Sequence, residues 1–223
     1  MRLDLEVELR AGPVAVSAEY ERPAGAWASV VVAHGAGAGY DHPFLTGLTA
    51  GLAAEGLATL RFNFAYVEAG RRMPGPAAHA VAAWRAAVAA AAERVEVAEP
   101  IWAGGKSYGG RMASMACAQG EIDVAGLVYL GYPLHPPGDP GKARAAHLPA
   151  IAVPQLFLSG TNDPFVDPHE QLVEAVASCP DASIEWVEGA GHSFEVTGAR
   201  RPADEVGAGL APRVAAFVRA RAR

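Results

Sequence analysis

Short apolar runs recur along this chain, and helical segments separate them. Ser29 to Ala33 reads SVVVA, uniformly apolar, as a strand covered on both faces requires. Similar runs follow at Ala58 to Phe64, Ile101 to Ala103, Val124 to Leu130, Gln155 to Leu158 and Ile184 to Val187. Between them, Pro43 to Glu55 carries Phe44, Leu45, Leu48 and Leu52 at helical spacing. Ala77 to Val95 is alanine-rich, with high helix propensity throughout. Tyr108 to Ala118, Asp167 to Ser178 and Ala203 to Arg221 complete the helical set, and Arg219, Arg221 and Arg223 close the chain where a helix dipole favours cations. Strands alternating with helices predict a mainly parallel sheet with helices on both faces.

The N-terminus has a different rhythm. Leu3, Leu5, Val7 and Leu9 alternate with Arg2, Asp4, Glu6 and Glu8, so this strand has one wet face. Arg10-Ala11-Gly12 is a turn, and Val14 to Tyr20 pairs back as a hairpin. About eight strands result, with no linker or repeat between them, so residues 1–223 read as a single domain. The apolar fraction of 51% excludes a disordered chain. A net charge of −6 disfavours nucleic acid as a partner. Two cysteines, Cys117 and Cys179, are too few for a disulfide scaffold and read as core or helix-end thiols. The start MRLDLEVELR has no apolar run of the kind a secretory signal needs, and the longest apolar stretch, Pro76 to Ala92, is broken by His79 and Arg85. The expectation is a soluble, cytoplasmic protein without a membrane segment.

One motif carries chemistry. Gly105-Lys106-Ser107-Tyr108-Gly109 fits G-x-S-x-G, after the strand Ile101 to Ala103 and at the opening of the helix at Tyr108. A serine on such a strand-to-helix turn is held in a strained backbone with its hydroxyl exposed, and flanking glycines let the helix pass close to the strand. The competing reading is a glycine-rich turn with an inert serine; the strand before and the helix after favour the nucleophile. A phosphate-binding loop is excluded because Pro100 stands where its first glycine belongs.

A serine hydroxyl needs a base within hydrogen-bond reach. In this arrangement the chain order is nucleophile, acid, histidine, each just past a strand end. Among seven histidines, His192 in GAGHSF follows the strand Ile184 to Val187 and is the candidate base. Asp163, in the loop after Gln155 to Leu158, is the candidate acid, 56 residues after Ser107 and 29 before His192. Asp167 is the lesser alternative and reads more readily as a helix cap. The loop His34-Gly35-Ala36-Gly37-Ala38-Gly39 follows the strand Ser29 to Ala33 and allows a substrate carbonyl to approach the backbone. The oxyanion donors are assigned to the Ala36 and Tyr108 amides, with Gly37 as the alternative to Ala36. Tyr40 occupies the third glycine position of a dinucleotide fingerprint, so that site is not supported.

With these residues in view, the chain resembles the α/β-hydrolase superfamily in its dienelactone-hydrolase-like region. Within that region it resembles the hydrolase-like domain shared by testis-expressed protein 30, a nonspecific-lethal complex subunit and many small bacterial proteins. The stretches that carry this are AHGAGAGYDHPF, LRFNFAYVEAGRRMP, GGKSYGGRMAS, LGYPLHPPG, HLPAIAVPQLFLSGTNDPF and EGAGHSF, from about residue 30 to 195. The resemblance implies an α/β-hydrolase fold and a Ser107-Asp163-His192 triad acting on a carboxylic ester or thioester through an acyl-enzyme, with no cofactor or metal. It also admits a second class, a binding or assembly module with little turnover. Tyr108 stands where methionine is common in this group, which is expected to narrow the pocket beside Ser107.

Gly35, Gly37, Asn63 and His135 are expected to line the substrate site, Asn63 because it lies at a strand end and His135 because it lies past one. Arg71 and Arg72 read as solvated, and Arg111 as structural. Only about 23 residues separate Gly131 from Pro154, too few for a multi-helix cap, so an open pocket and a small or exposed substrate are expected.

Overall fold

The computed structural model describes residues 1–96 and 99–221. Arg2–Leu9 (β1) and Gly12–Glu21 (β2) form the N-terminal hairpin. Ala28–Ala33 (β3), Pro43–Ala54 (α1), Leu57–Phe62 (β4), Ala65–Glu68 (α2) and Ala77–Ala92 (α3) follow. Ile101–Lys106 (β5), Tyr108–Ala118 (α4) and Gly126–Leu130 (β6) form the middle of the chain. Gln155–Gly160 (β7), His169–Ala177 (α5), Ala182–Val187 (β8) and Ala203–Arg221 (α6) complete it.

The strands form one eight-stranded sheet in the order β1-β2-β4-β3-β5-β6-β7-β8. β2 is antiparallel to both of its neighbours, and all the other pairs are parallel. The uniform apolarity of β3 has its reason here, because all six of its residues are buried. Val30 and Val32 point into the layer built by α1 and α6, while Val31 and Ala33 point into the layer built by α3 and α4. Period two along a central strand thus serves two cores at once. α1 and α6 touch backbone to backbone: a Cβ on Gly47 would fall on the Asp204 carbonyl, and one on Gly207 on the Phe44 carbonyl.

Several boundaries differ from expectation. α3 ends at Ala92 rather than Val95, and β6 starts at Gly126 rather than Val124. The single-turn helix α2 carries no periodic signal and was not expected. Asp167 does not cap α5: the helix starts at His169, with Pro168 at its N-cap and no side chain bonded to its first turn. Arg221 pairs with Asp181 at 3.1 Å and Arg219 lies over the Trp27 ring at 4.8 Å, whereas Arg223 lies outside the described residues. Between β6 and β7 there are only two 3-10 turns, Pro140–Lys142 and Leu148–Ala150, so among the described residues no helical cap follows β6. No helix among the described residues is long and apolar enough to cross a membrane.

Candidate active site

In a parallel sheet the strands deliver their following loops to one edge. The loops after β3, β5, β7 and β8 carry His34 to Gly39, Ser107, Asp163 and His192 respectively.

Ser107 alone joins β5 to α4, with φ 49° and ψ −113°. This left-handed φ is rare for a residue with a Cβ and costs about 1–3 kcal/mol. Neighbouring glycines make the turn feasible. A Cβ on Gly109 would lie 2.6 Å from the carbonyl oxygens of both Ala33 and His34, and one on Gly105 would lie 2.7 Å from the Gly110 amide nitrogen. The Trp84 indole donates to the Gly109 carbonyl at 3.2 Å and helps hold the first turn of α4.

The serine hydroxyl lies 2.8 Å from His192 Nε2, and His192 Nδ1 lies 2.8 Å from Asp163 Oδ2. The Asp163 side chain is fully buried, and its other oxygen accepts the Phe165 amide at 2.9 Å. Phe165 then covers the imidazole, with ring centroids 4.1 Å apart. Asp163 therefore bonds Nδ1–H, which leaves the Nε2 lone pair facing the serine hydroxyl. Burial lowers the His192 pKa below its ordinary 6.5, opposed by the Asp163 hydrogen bond and reinforced by the charge of Lys106. The imidazole is neutral, as a base must be, near pH 7.

His34 organises the glycine-rich loop. Its Nδ1 lies 2.8 Å from the Gly35 carbonyl oxygen, and its Nε2 accepts the Phe64 amide at 3.2 Å. One donated and one accepted bond define the neutral Nδ1–H tautomer, and burial pushes the pKa down to about 4. The Gly35 carbonyl belongs to the same trans peptide as the Ala36 N–H, so fixing the oxygen aims that amide the opposite way. Among the described residues no backbone carbonyl takes the amides of Ala36 or Tyr108.

A cavity of about 470 Å³ opens beside the serine. Gly35, Ala36, Lys106, Ser107 and His192 line the end beside the serine, and Phe44, Leu45, Phe165, Ala203 and Val206 form an apolar wall. Four sequence expectations need correction. Asn63 does not line the cavity: its Oδ1 accepts the Tyr40 amide at 2.8 Å and its Nδ2 donates to Glu68 at 2.9 Å, so it braces the loop from behind. Gly37 is also absent from the lining and serves the turn with φ 78°. His135 is fully buried away from the cavity, with Nδ1 2.9 Å from the Pro136 carbonyl oxygen. The Tyr108 ring does not narrow the pocket beside Ser107. It packs on Phe64 at 5.3 Å and faces a separate cleft that also touches Arg71.

His34, Phe165 and Lys106 also line the cavity, and none of them was expected as a site residue. The signal for His34 was present, as a histidine immediately after a buried strand and before a glycine run. Phe165 carried no local signal.

The family model described as "Alpha/beta hydrolase domain" matches residues 26–218. Solved structures of similar shape include a dienelactone hydrolase from Anabaena variabilis, at 19% identity and TM-score 0.73, covering 100% of this chain and 99% of that one. Est1E from Butyrivibrio proteoclasticus with bound ferulic acid has 15% identity and TM-score 0.74, covering 97% and 98%. A Xanthomonas campestris protein described as an α/β serine hydrolase without a lid has 17% identity and TM-score 0.67, covering 98% and 94%. At these identities the likeness is one of fold, whereas the family match spans most of the sequence, and the chain belongs to the alpha/beta hydrolase family.

Proposed function

We propose that this chain is a serine hydrolase that cleaves a carboxylic ester or thioester of a small or exposed substrate. The observation that carries this reading is the unbroken relay from Ser107 through His192 to buried Asp163, at 2.8 Å for each link. Ser107 Oγ attacks the acyl carbonyl while His192 Nε2 takes its proton. Asp163 stabilises the imidazolium that forms. The Ala36 and Tyr108 amides receive the developing oxyanion, aided by the N-terminal end of α4. The carbon–oxygen or carbon–sulfur bond then breaks, and His192 returns the proton to the leaving group. Water, deprotonated by His192, attacks the acyl-serine, and the carboxylic acid departs with Ser107 restored.

The apolar wall of Phe44, Leu45 and Val206 suits a hydrocarbon acyl or alcohol part, and the lack of a helical cap among the described residues suits substrates that enter from solvent. The strings GGKSYGGRMAS and GYPLHPPG support kinship with the hydrolase-like domain of testis-expressed protein 30 and the nonspecific-lethal complex subunit. Labelling with a fluorophosphonate probe tests the assignment. Wild type is expected to label and Ser107→Ala not to; equal labelling of both ends the nucleophile assignment. Turnover of any member of an acyl-ester and thioester panel would then set this reading above a purely binding or assembly role.

A further inference from the structure

We propose that Lys106 is a positioning residue for the general base: its ammonium, bonded to the His192 carbonyl, tethers the loop that carries His192 and holds a positive charge at its root. This rests on the serine-hydrolase reading of the site.

Lys106 is the last residue of β5 and directly precedes Ser107. Its Nζ donates to the backbone carbonyl of His192 at 2.7 Å. Among the described residues this is the only hydrogen bond that carbonyl receives. The neighbouring Phe194 holds φ at 62° and presents its ring 5.9 Å from the ammonium. A cation, a carbonyl and an aromatic face thus meet at the root of the catalytic loop.

The chain has two lysines. Lys142 pairs with Asp139 at 2.7 Å, whereas among the described residues Lys106 has no carboxylate within 4.0 Å. Its charge is therefore not neutralised by a contact ion pair. Burial brings its pKa down to about 8, which leaves it mostly protonated at pH 7.

The groups facing His192 can be taken element by element. Asp163, from the loop after β7, is the anion that favours the imidazolium. Lys106, from β5, is the cation that opposes it. Ser107 and Phe165 are uncharged. His34, from the loop after β3, is held neutral by burial; His42, ahead of α1, and Glu195, from the same loop as His192, border the cavity. Lys106 thus offsets part of the pull of Asp163. The aspartate can orient the imidazole without making it so basic that it is protonated at mildly acidic pH.

The test is the His192 imidazole titration followed by NMR in wild type, Lys106→Met and Lys106→Arg. It needs no turnover, so it stands apart from the fluorophosphonate experiment: a wild type that does not label counts against the hydrolase reading alone. Removing the charge in Lys106→Met is expected to raise the His192 pKa, while Lys106→Arg titrates like wild type. A wild-type titration in Lys106→Met overturns the proposal. So does an equal shift in Lys106→Arg, which would mean packing rather than charge sets the value. Should Lys106→Met fail to fold, Lys106→Gln reads the same charge removal with a hydrogen-bond donor retained.

Discussion

The imidazole of His34 lies 2.8 Å from the carbonyl oxygen of Gly35, and that bond orients the peptide whose N–H is Ala36. His34→Ala removes the anchor while leaving the proposed relay intact. Loss of one oxyanion donor costs about 10²–10³ in kcat in other acyl-transfer enzymes. Because the Ala36 amide would be loosened rather than deleted, a fall of about tenfold to a hundredfold in kcat is expected, with fluorophosphonate labelling slowed to match. A variant that folds and turns over at the wild-type rate would place the oxyanion elsewhere.

The same residue makes stability depend on pH. His34 titrates near 6.5 when unfolded and at about 4 when folded. Between these values the unfolded chain binds more protons than the native one, so stability falls as pH is lowered from 6.5 towards 4. The contribution is full above pH 6.5, and its loss amounts to about 3 kcal/mol by linkage. Chemical denaturation at a series of pH values should show this slope in wild type and a shallower one in His34→Gln.

Activity should follow His192 rather than His34. Its pKa lies below the ordinary 6.5, so the acidic limb of kcat/KM is expected below pH 6.5, with full activity above it. A limb centred above pH 6.5 would contradict the burial of this imidazole and the charge beside it.

The parallel core was legible because two-sided burial leaves a mark in composition: β3 reads SVVVA since neither face meets water. The Ser107 turn was legible for a similar reason. Gly105 and Gly109 stand where any Cβ would meet backbone, so space itself wrote the motif. Asn63 and His135 face away from the cavity because period two specifies a side chain's face only within the strand: β4 ends at Phe62 and β6 at Leu130, and beyond those ends the loop's path decides. The Lys106–His192 bond joins residues 86 positions apart, which no local pattern can encode. Phe165 was missed because its role comes from the Asp163 turn, which brings its ring over His192.

Close packing at the turn predicts a coupled loss. In Gly109→Ala the new methyl would lie 2.6 Å from two carbonyl oxygens, so α4 must move away from β3. Overpacking of this kind costs about 1–3 kcal/mol. The displaced helix also carries the Tyr108 amide and Ser107 with it. Lower thermal stability together with a reduced kcat is expected, and a variant that loses stability but keeps kcat would show that the turn tolerates the shift.

Strain at Ser107 can be separated from its chemistry. Alanine at this position keeps a Cβ and hence the cost of φ 49°, while glycine removes it. Both substitutions delete the hydroxyl, so both should abolish labelling. Their stabilities should differ: Ser107→Gly is expected to unfold about 1 kcal/mol harder than Ser107→Ala, after allowance for the greater freedom of glycine in the unfolded chain. Paired denaturation curves on the two inactive variants measure this difference without interference from catalysis. If Ser107→Ala is the more stable of the two, the strain at this turn is smaller than the stability that glycine loses through its freedom in the unfolded chain.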